Sequence, residues 1–171
     1  MKYTFKQAFL FLLFGGLLII GLVGCSESDC PLQTRPMVRF NFYDVNNPTK
    51  AIAFKDSLSV ITTNTVTTQG DSILINKETG ASKVVVPLSY VNQETTYILK
   101  YSKTLSDTLW VSHVNTEHFI SIECGMTVYS HIQSIKSTFH LIESVSVRNP
   151  EIDNNEKENI QIFYPSPSAT N

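Results

Sequence analysis

The side chains best suited to chemistry are few. Cysteines stand at positions 25, 30 and 124, and all four histidines fall between His113 and His140. With Glu117 and Cys124, those histidines invite comparison with a zinc site, which needs three or four ligands converging at about 2.0–2.3 Å. The spacing argues against one. His113-x4-His118 is followed by gaps of 13 and 9 residues, and no Cys-x2-Cys pair occurs. Strand parity puts His118 on one face with Ile120, Ile122 and Cys124, so His118 is expected to be partly buried and satisfied by a backbone group. Serine is abundant, yet no Gly-x-Ser-x-Gly elbow and no Ser-x-x-Lys opening a helix is found. Seven glycines leave little room for a phosphate-cradling loop. Paired carboxylates of the glycosidase kind depend on tertiary contacts and stay open. No metal, no cofactor and no catalytic residue is therefore expected.

The 171 residues include 13 Lys+Arg and 15 Asp+Glu, a net charge of −2 that removes nucleic acid as a partner. The charge is unevenly placed. Lys2 and Lys6 precede an uninterrupted apolar run from Ala8 to Val23, which has 16 residues. As a helix it would span about 24 Å, short of the roughly 30 Å hydrocarbon core of a bilayer. Residues 1–24 are accordingly read as an export leader. The run ends in Leu22-Val23-Gly24-Cys25, which resembles the lipobox of bacterial lipoproteins. The resemblance implies cleavage between Gly24 and Cys25, a diacylglycerol thioether on the Cys25 sulfur, and acylation of the new amine by a palmitate-type chain. Two or three chains, at about 0.8 kcal/mol per buried CH₂, would hold the protein firmly on a membrane. Residues 25–30 then form a lipidated tether, 31–164 a single domain and 165–171 a loose Ser- and Pro-rich tail. Ser26-Glu27-Ser28-Asp29 resembles a short acidic stretch that directs some Bacteroidota lipoproteins to the cell surface. A solvated linker explains it equally well, so the periplasmic face of the outer membrane and the cell surface both stay open.

With Cys25 given to lipid, Cys30 and Cys124 form an even pair in an oxidising compartment. They are expected to be joined; the alternative is two separate thiols, one in a strand and one near the tether. Cys30 lies five residues after Cys25, a reach of about 17 Å when extended.

These residues must be positioned by strands. From Cys25 onward Ser and Thr number 34, Val and Ile 26, and Ala only four, a composition that favours β structure over a helical bundle. Pro36–Asp44 alternates Val38, Phe40 and Phe42 against Arg39, Asn41 and Tyr43, the period of a half-buried strand. Asn46-Asn47-Pro48 should end it. Strands are expected over 56–66, 72–76, 83–90, 95–102, 107–114, 117–124, 126–132 and 159–164, with turns at Gln69-Gly70-Asp71 and Glu78-Thr79-Gly80. Pro87 suits an edge. Residues 132–147 fit either a helix, through Ile132, Ile135, Phe139 and Ile142, or strands, which their β-branched content favours. The expected fold is all-β, an antiparallel, immunoglobulin-like sandwich of eight to ten strands, with a barrel as the alternative. Tyr90, Tyr97, Tyr101, Trp110, Tyr129 and Tyr164 could line a carbohydrate or peptide surface, but core and cross-strand packing is the expected use.

The tetrapeptide ending at Cys25, Asp29-Cys30-Pro31, the stretch Asp107-Thr108-Leu109-Trp110-Val111, His118 through Gly125 and Asn159 through Tyr164 together resemble a family of small Bacteroidota lipoproteins of unknown function. The resemblance implies a β-rich envelope domain with paired cysteines and no stated activity. Asp56-Ser57-Leu58, Asp71-Ser72-Ile73 and Asp107-Thr108-Leu109 also resemble the O-glycan acceptor motif of Bacteroidota secreted proteins, which would make Ser57, Ser72 and Thr108 acceptors. The same tripeptide is a natural entry from a turn into a strand. The reading is a membrane-anchored, non-catalytic envelope lipoprotein with an envelope protein or glycan as partner. A lipid-anchored hydrolase or glycan-processing domain is the alternative.

Overall fold

The computed structural model describes Cys30 and residues 35–65 and 68–166, without the side chains of 64, 65, 68 and 69. The leader 1–24, the lipobox cysteine, the acidic stretch 26–29 and the end of the tail (167–171) lie outside the described residues. The chain divides after Cys30, and Pro31–Asn171 is one compact unit.

Among the described residues there are eleven strands and no helix. They are β1 (Met37–Asp44), β2 (Asn47–Ala51), β3 (Leu58–Thr65), β4 (Thr68–Glu78), β5 (Lys83–Pro87), β6 (Glu94–Lys100), β7 (Ser106–Ser121), β8 (Gly125–Ser137), β9 (Ser144–Val147), β10 (Glu151–Ile152) and β11 (Ile160–Tyr164). One sheet runs β2-β1-β11-β9, with β5 also paired to β1; the other runs β10-β8-β7-β6-β3-β4. The two sheets pack as a β-sandwich, and neither closes into a barrel.

Alternation drives the packing. β1 buries Val38, Phe40, Phe42 and Asp44 and turns Met37, Arg39, Asn41 and Tyr43 outward. Tyr97 and Leu99 on β6, Leu109 and Val111 on β7, and Ile160, Ile162 and Tyr164 on β11 complete the interior. The Phe40 and Tyr97 rings meet edge to face across the sheets, centroids 5.3 Å apart. The Tyr97 hydroxyl donates to the Pro87 carbonyl at 2.7 Å, which satisfies the one polar atom that side chain brings inside. At one end of the core Phe42, Phe54, Tyr101 and Tyr164 form an aromatic cluster, and the Tyr101 and Tyr164 hydroxyls lie 3.0 Å apart. Burial pushes both phenols well above their ordinary range.

Several expectations need correction. The sheet is not wholly antiparallel: β1 and β11 run parallel, Phe40 opposite Ile160 through Asp44 opposite Tyr164. Residues 107–114 and 117–124 are not two strands, because the ladder to β8 continues through Asn115 opposite Ser130 and Thr116 opposite Tyr129. β1 does end at Asp44, as expected, but Asn47-Pro48 also open a further short strand, β2, which pairs back on β1. Gln69-Gly70-Asp71 lies within β4, where Gly70 takes a φ of +116° that favours glycine. The ambiguous segment 132–147 resolves as the end of β8, a loop and β9. Pro87 does sit on an edge strand, β5, which among the described residues pairs only with β1.

Replacing a core ring and an exposed residue should separate these roles. Phe40→Ala is expected to lower stability by about 3–5 kcal/mol, whereas Ile73→Ala, 62% exposed on the edge strand β4, should stay within about 0.5 kcal/mol. Urea unfolding midpoints of the two variants check the ranking.

Candidate functional site

The inward parity of β7 runs Asp107, Leu109, Val111, His113. This places two polar side chains at opposite ends of an otherwise apolar row, and each has become a hub.

Asp107 is 1% exposed. One carboxylate oxygen accepts the Thr138 hydroxyl and the His140 amide, both at 2.7 Å; the other accepts the Leu141 and Ile142 amides at 2.9 and 3.0 Å. Burial pushes this carboxyl up, but the three amides and the hydroxyl outweigh it and hold the group below the ordinary carboxylate range. The loop from β8 to β9 is wrapped on this one side chain.

His113 is fully buried. The Asn115 amide nitrogen donates to the Ser89 carbonyl at 2.8 Å, so its oxygen faces His113 Nδ1 at 3.0 Å. Nδ1 therefore carries the proton. Nε2 then accepts the Thr95 hydroxyl at 2.9 Å, and Thr95 Oγ1 accepts the Ser89 amide at 2.9 Å. Burial pushes the imidazole below its ordinary range, against the opposing bond to Asn115. Hydroxyl, imidazole and amide thus stand in the order of a nucleophile, a base and its orienting group. Thr95 is only 6% exposed and its oxygen is already occupied by an amide, which makes this a satisfied structural network.

Among the described residues, the clefts on the body include these two. The first, about 180 Å³, is lined by Arg35, Met37, Arg39, Tyr129, Asp153 and Glu156, among others. Arg39 reaches Glu156 at 3.2 Å, and Arg35 lies over the Tyr90 ring at 5.5 Å. The second, about 260 Å³, is bounded by Phe54, Lys55, Asp56, Leu141 and Tyr164. Neither is lined by Thr95, His113 or Asn115. Each cleft is small, with a mixed apolar and charged lining suited to holding a side chain or a small polar group.

The sequence-derived candidates are dispersed. Ser57 precedes β3, Ser72 is on β4 opposite Thr62, and Thr108 is on β7 opposite Ile98. All three are partly buried. Asp107 of the third motif is committed to the β8–β9 loop. His118 is exposed, not partly buried as parity suggested, and stacks on Tyr129 with centroids 4.8 Å apart. Past Ser130 no third strand joins β7 and β8 among the described residues, so alternation there selects between two wet faces. The buried histidine is His113, and the apolar parity of Asp107 to Val111 was the signal that could have found it. Among the described residues no three His, Cys, Asp or Glu side chains gather as a metal set. Tyr97, Tyr101 and Tyr164 are core residues.

Cys30 and Cys124 are both disulfide-bonded. A chain of three cysteines can close only one such bond within itself, so the two are partners. Cys124 sits in the β7–β8 turn, its amide donating to Ser121 Oγ at 3.1 Å, and Gly125 takes a φ of +73° to bring the chain back. The pair is a staple of about 95 residues, for which chain entropy predicts stabilisation of roughly 4–5 kcal/mol. Of the tail, Ser166 is held by the buried Asp44, to whose carboxylate it donates at 2.7 Å.

Asp107 gives a pH-dependent expectation. A carboxyl whose folded pKa is depressed stabilises the fold fully above its unfolded value of about 3.9, and that contribution is lost as pH falls through the folded value. Asp107→Ala should cost about 3 kcal/mol or more near neutral pH, since it strands buried amides. The difference between wild type and variant should shrink below about pH 4. Urea midpoints measured across that range check both.

No curated protein and no solved structure matches the chain. Residues 57–164, from just before β3 to the end of β11, match a family model. That span holds both hubs, Cys124 and the whole larger sheet, and the chain belongs to this family of unknown function, DUF6452.

Proposed function

We propose that this chain is a lipid-anchored envelope protein of Bacteroidota type, whose sandwich binds or scaffolds a partner without catalysis. The observation that carries the reading is Leu22-Val23-Gly24-Cys25 at the end of a basic, then apolar, leader. The sulfur of Cys25 takes the diacylglycerol, and the outer membrane is the destination, on its periplasmic face or at the cell surface. The disulfide supports export, because such bonds persist in oxidising compartments.

The enclosed state of His113 supports the non-catalytic reading, as does the pairing of Arg39 with Glu156 in the first cleft. Strand addition is disfavoured at the outer strands of the two sheets, although the β7–β8 ribbon beyond Ser112 and Ser130 keeps open edges among the described residues. The outer strand β4 meets β3 with three register shifts and carries Lys77 at a φ of +51°, and the other outer strands have five residues or fewer. Bulged and short edges resist pairing with another chain. A protein or glycan partner is therefore better served by the side-chain surfaces and clefts.

Intact mass and membrane fractionation test the proposal. The mature chain should begin at Cys25, carry two or three acyl chains and sediment with membranes. Cys25→Ala should retain its leader and carry no lipid. A wild-type protein with its leader uncut and no fatty acid overturns the reading. Added mass in sugar-sized steps would further assign glycans, and Ser57→Ala, Ser72→Ala and Thr108→Ala would locate them.

A further inference from the structure

We infer that the tip of the β7–β8 hairpin lies in the membrane interface beside the lipid anchor, with Phe119, Ile122 and Met126 entering the headgroup–acyl boundary. The inference rests on the anchor reading and deepens it, since it names the surface that the body meets.

Three independent observations converge on the tip. The first is exposure: Phe119 is 57%, Ile122 95% and Met126 51% exposed, all within eight residues. Phe119 and Met126 are direct cross-strand partners and so share a face. The second is projection. β6 leaves β7 at Ser112 and β10 leaves β8 at Ser130, so Thr116 to Ser121 and Gly125 to Tyr129 pair only with each other among the described residues. The third is covalent reach. Cys124 in this turn is joined to Cys30, five residues from Cys25. Five extended residues span about 17 Å, and a disulfide adds at most about 7 Å between Cα atoms. Ile122 is two residues further. An apolar tip held that near an acylated cysteine has lipid as its nearest apolar phase. Insertion of one aromatic and two aliphatic side chains is the interfacial mode of amphipathic anchors, at the scale of a single turn.

Charge refines the class of surface. No Lys or Arg occurs between Lys103 and Lys136, while Glu117 precedes Phe119 and Glu123 follows Ile122. The tip therefore gains nothing from anionic lipid, and a zwitterionic, phosphatidylethanolamine-rich leaflet suits it.

The test uses the full lipidated chain, its acyl mass verified first, reconstituted in vesicles of phosphatidylethanolamine and phosphatidylcholine with brominated acyl chains. Trp110 is the sole tryptophan, so Trp110→Phe with Ile122→Trp gives a single reporter at the tip. Trp110→Phe with Phe119→Trp gives a second. The control is Trp110→Phe with Phe139→Trp, exposed at the opposite end of β7 and β8. Both tip reporters should emit to the blue and lose about half their intensity to brominated chains, while the control stays unquenched. Missing acyl mass overturns the anchor and this inference together. With the acyl mass present, red and unquenched tip reporters overturn the inference alone. Blue but unquenched emission means that a second copy or another protein covers the tip, and that also overturns it.

Discussion

Two sheets share one dry interior, and that interior exists because β1 and β11 present alternate apolar residues to alternate apolar residues of β6 and β7. Val38, Phe40, Phe42, Ile160 and Ile162 on one side, and Tyr97, Leu99, Leu109 and Val111 on the other, are almost wholly removed from water. At about 25 cal/mol per Å² of apolar surface, a layer of this kind is the dominant favourable term in the fold. β11 enters beside β1, whose other side is shared by β5 and β2, and there Ile160, Ile162 and Tyr164 join the interior. A shift of one residue there would turn the whole set toward solvent.

Polar groups enter this interior only where they close a connection. Asp107 begins the buried row of β7 and gathers the amides of the β8–β9 loop; His113 ends the row and gathers Ser89, Thr95 and Asn115. Asp44 ends the buried row of β1 and holds Asn46 and Ser166. The pattern is consistent. A polar side chain stands at one end of a buried row, where a neighbouring loop brings backbone groups that would otherwise be buried without partners. The hubs stabilise connections, and the chemistry-like order of Thr95, His113 and Asn115 follows from that need.

What the sequence revealed, and what it hid, follows from range. The alternation of Val38, Phe40 and Phe42 is local, and it predicted β1 correctly; so did Ile160, Ile162 and Tyr164 for β11. The β-branched content gave the class, and the even pair of cysteines agrees with the bonded state of Cys30 and Cys124. Hidden features depend on partners distant in the chain. Asn115-Thr116 reads locally as a break, yet Asn115 is a strand residue whose side chain joins His113 on its own strand to Ser89 before β6 and Ser130 on β8. Whether Asp107 is a turn residue or a buried hub depends on a loop more than 30 residues away. β2 carries no apolar alternation because all five of its residues are exposed. His118 is exposed despite its parity, because parity names a face and not what covers it.

The hairpin shows the same limit in reverse. A two-stranded ribbon without a third strand is marginal in water, and its tip exposes apolar surface that the sandwich could have covered. What holds it is the bond at Cys124, which constrains the chain independently of any interior packing. Tyr129 and His118 add a stacked pair along the ribbon, and Ser121 closes the turn through the Cys124 amide. An element with so little core beneath it is built for its surface. Its apolar tip and its covalent link lie in one turn, so whatever the link is fastened to determines what that surface meets.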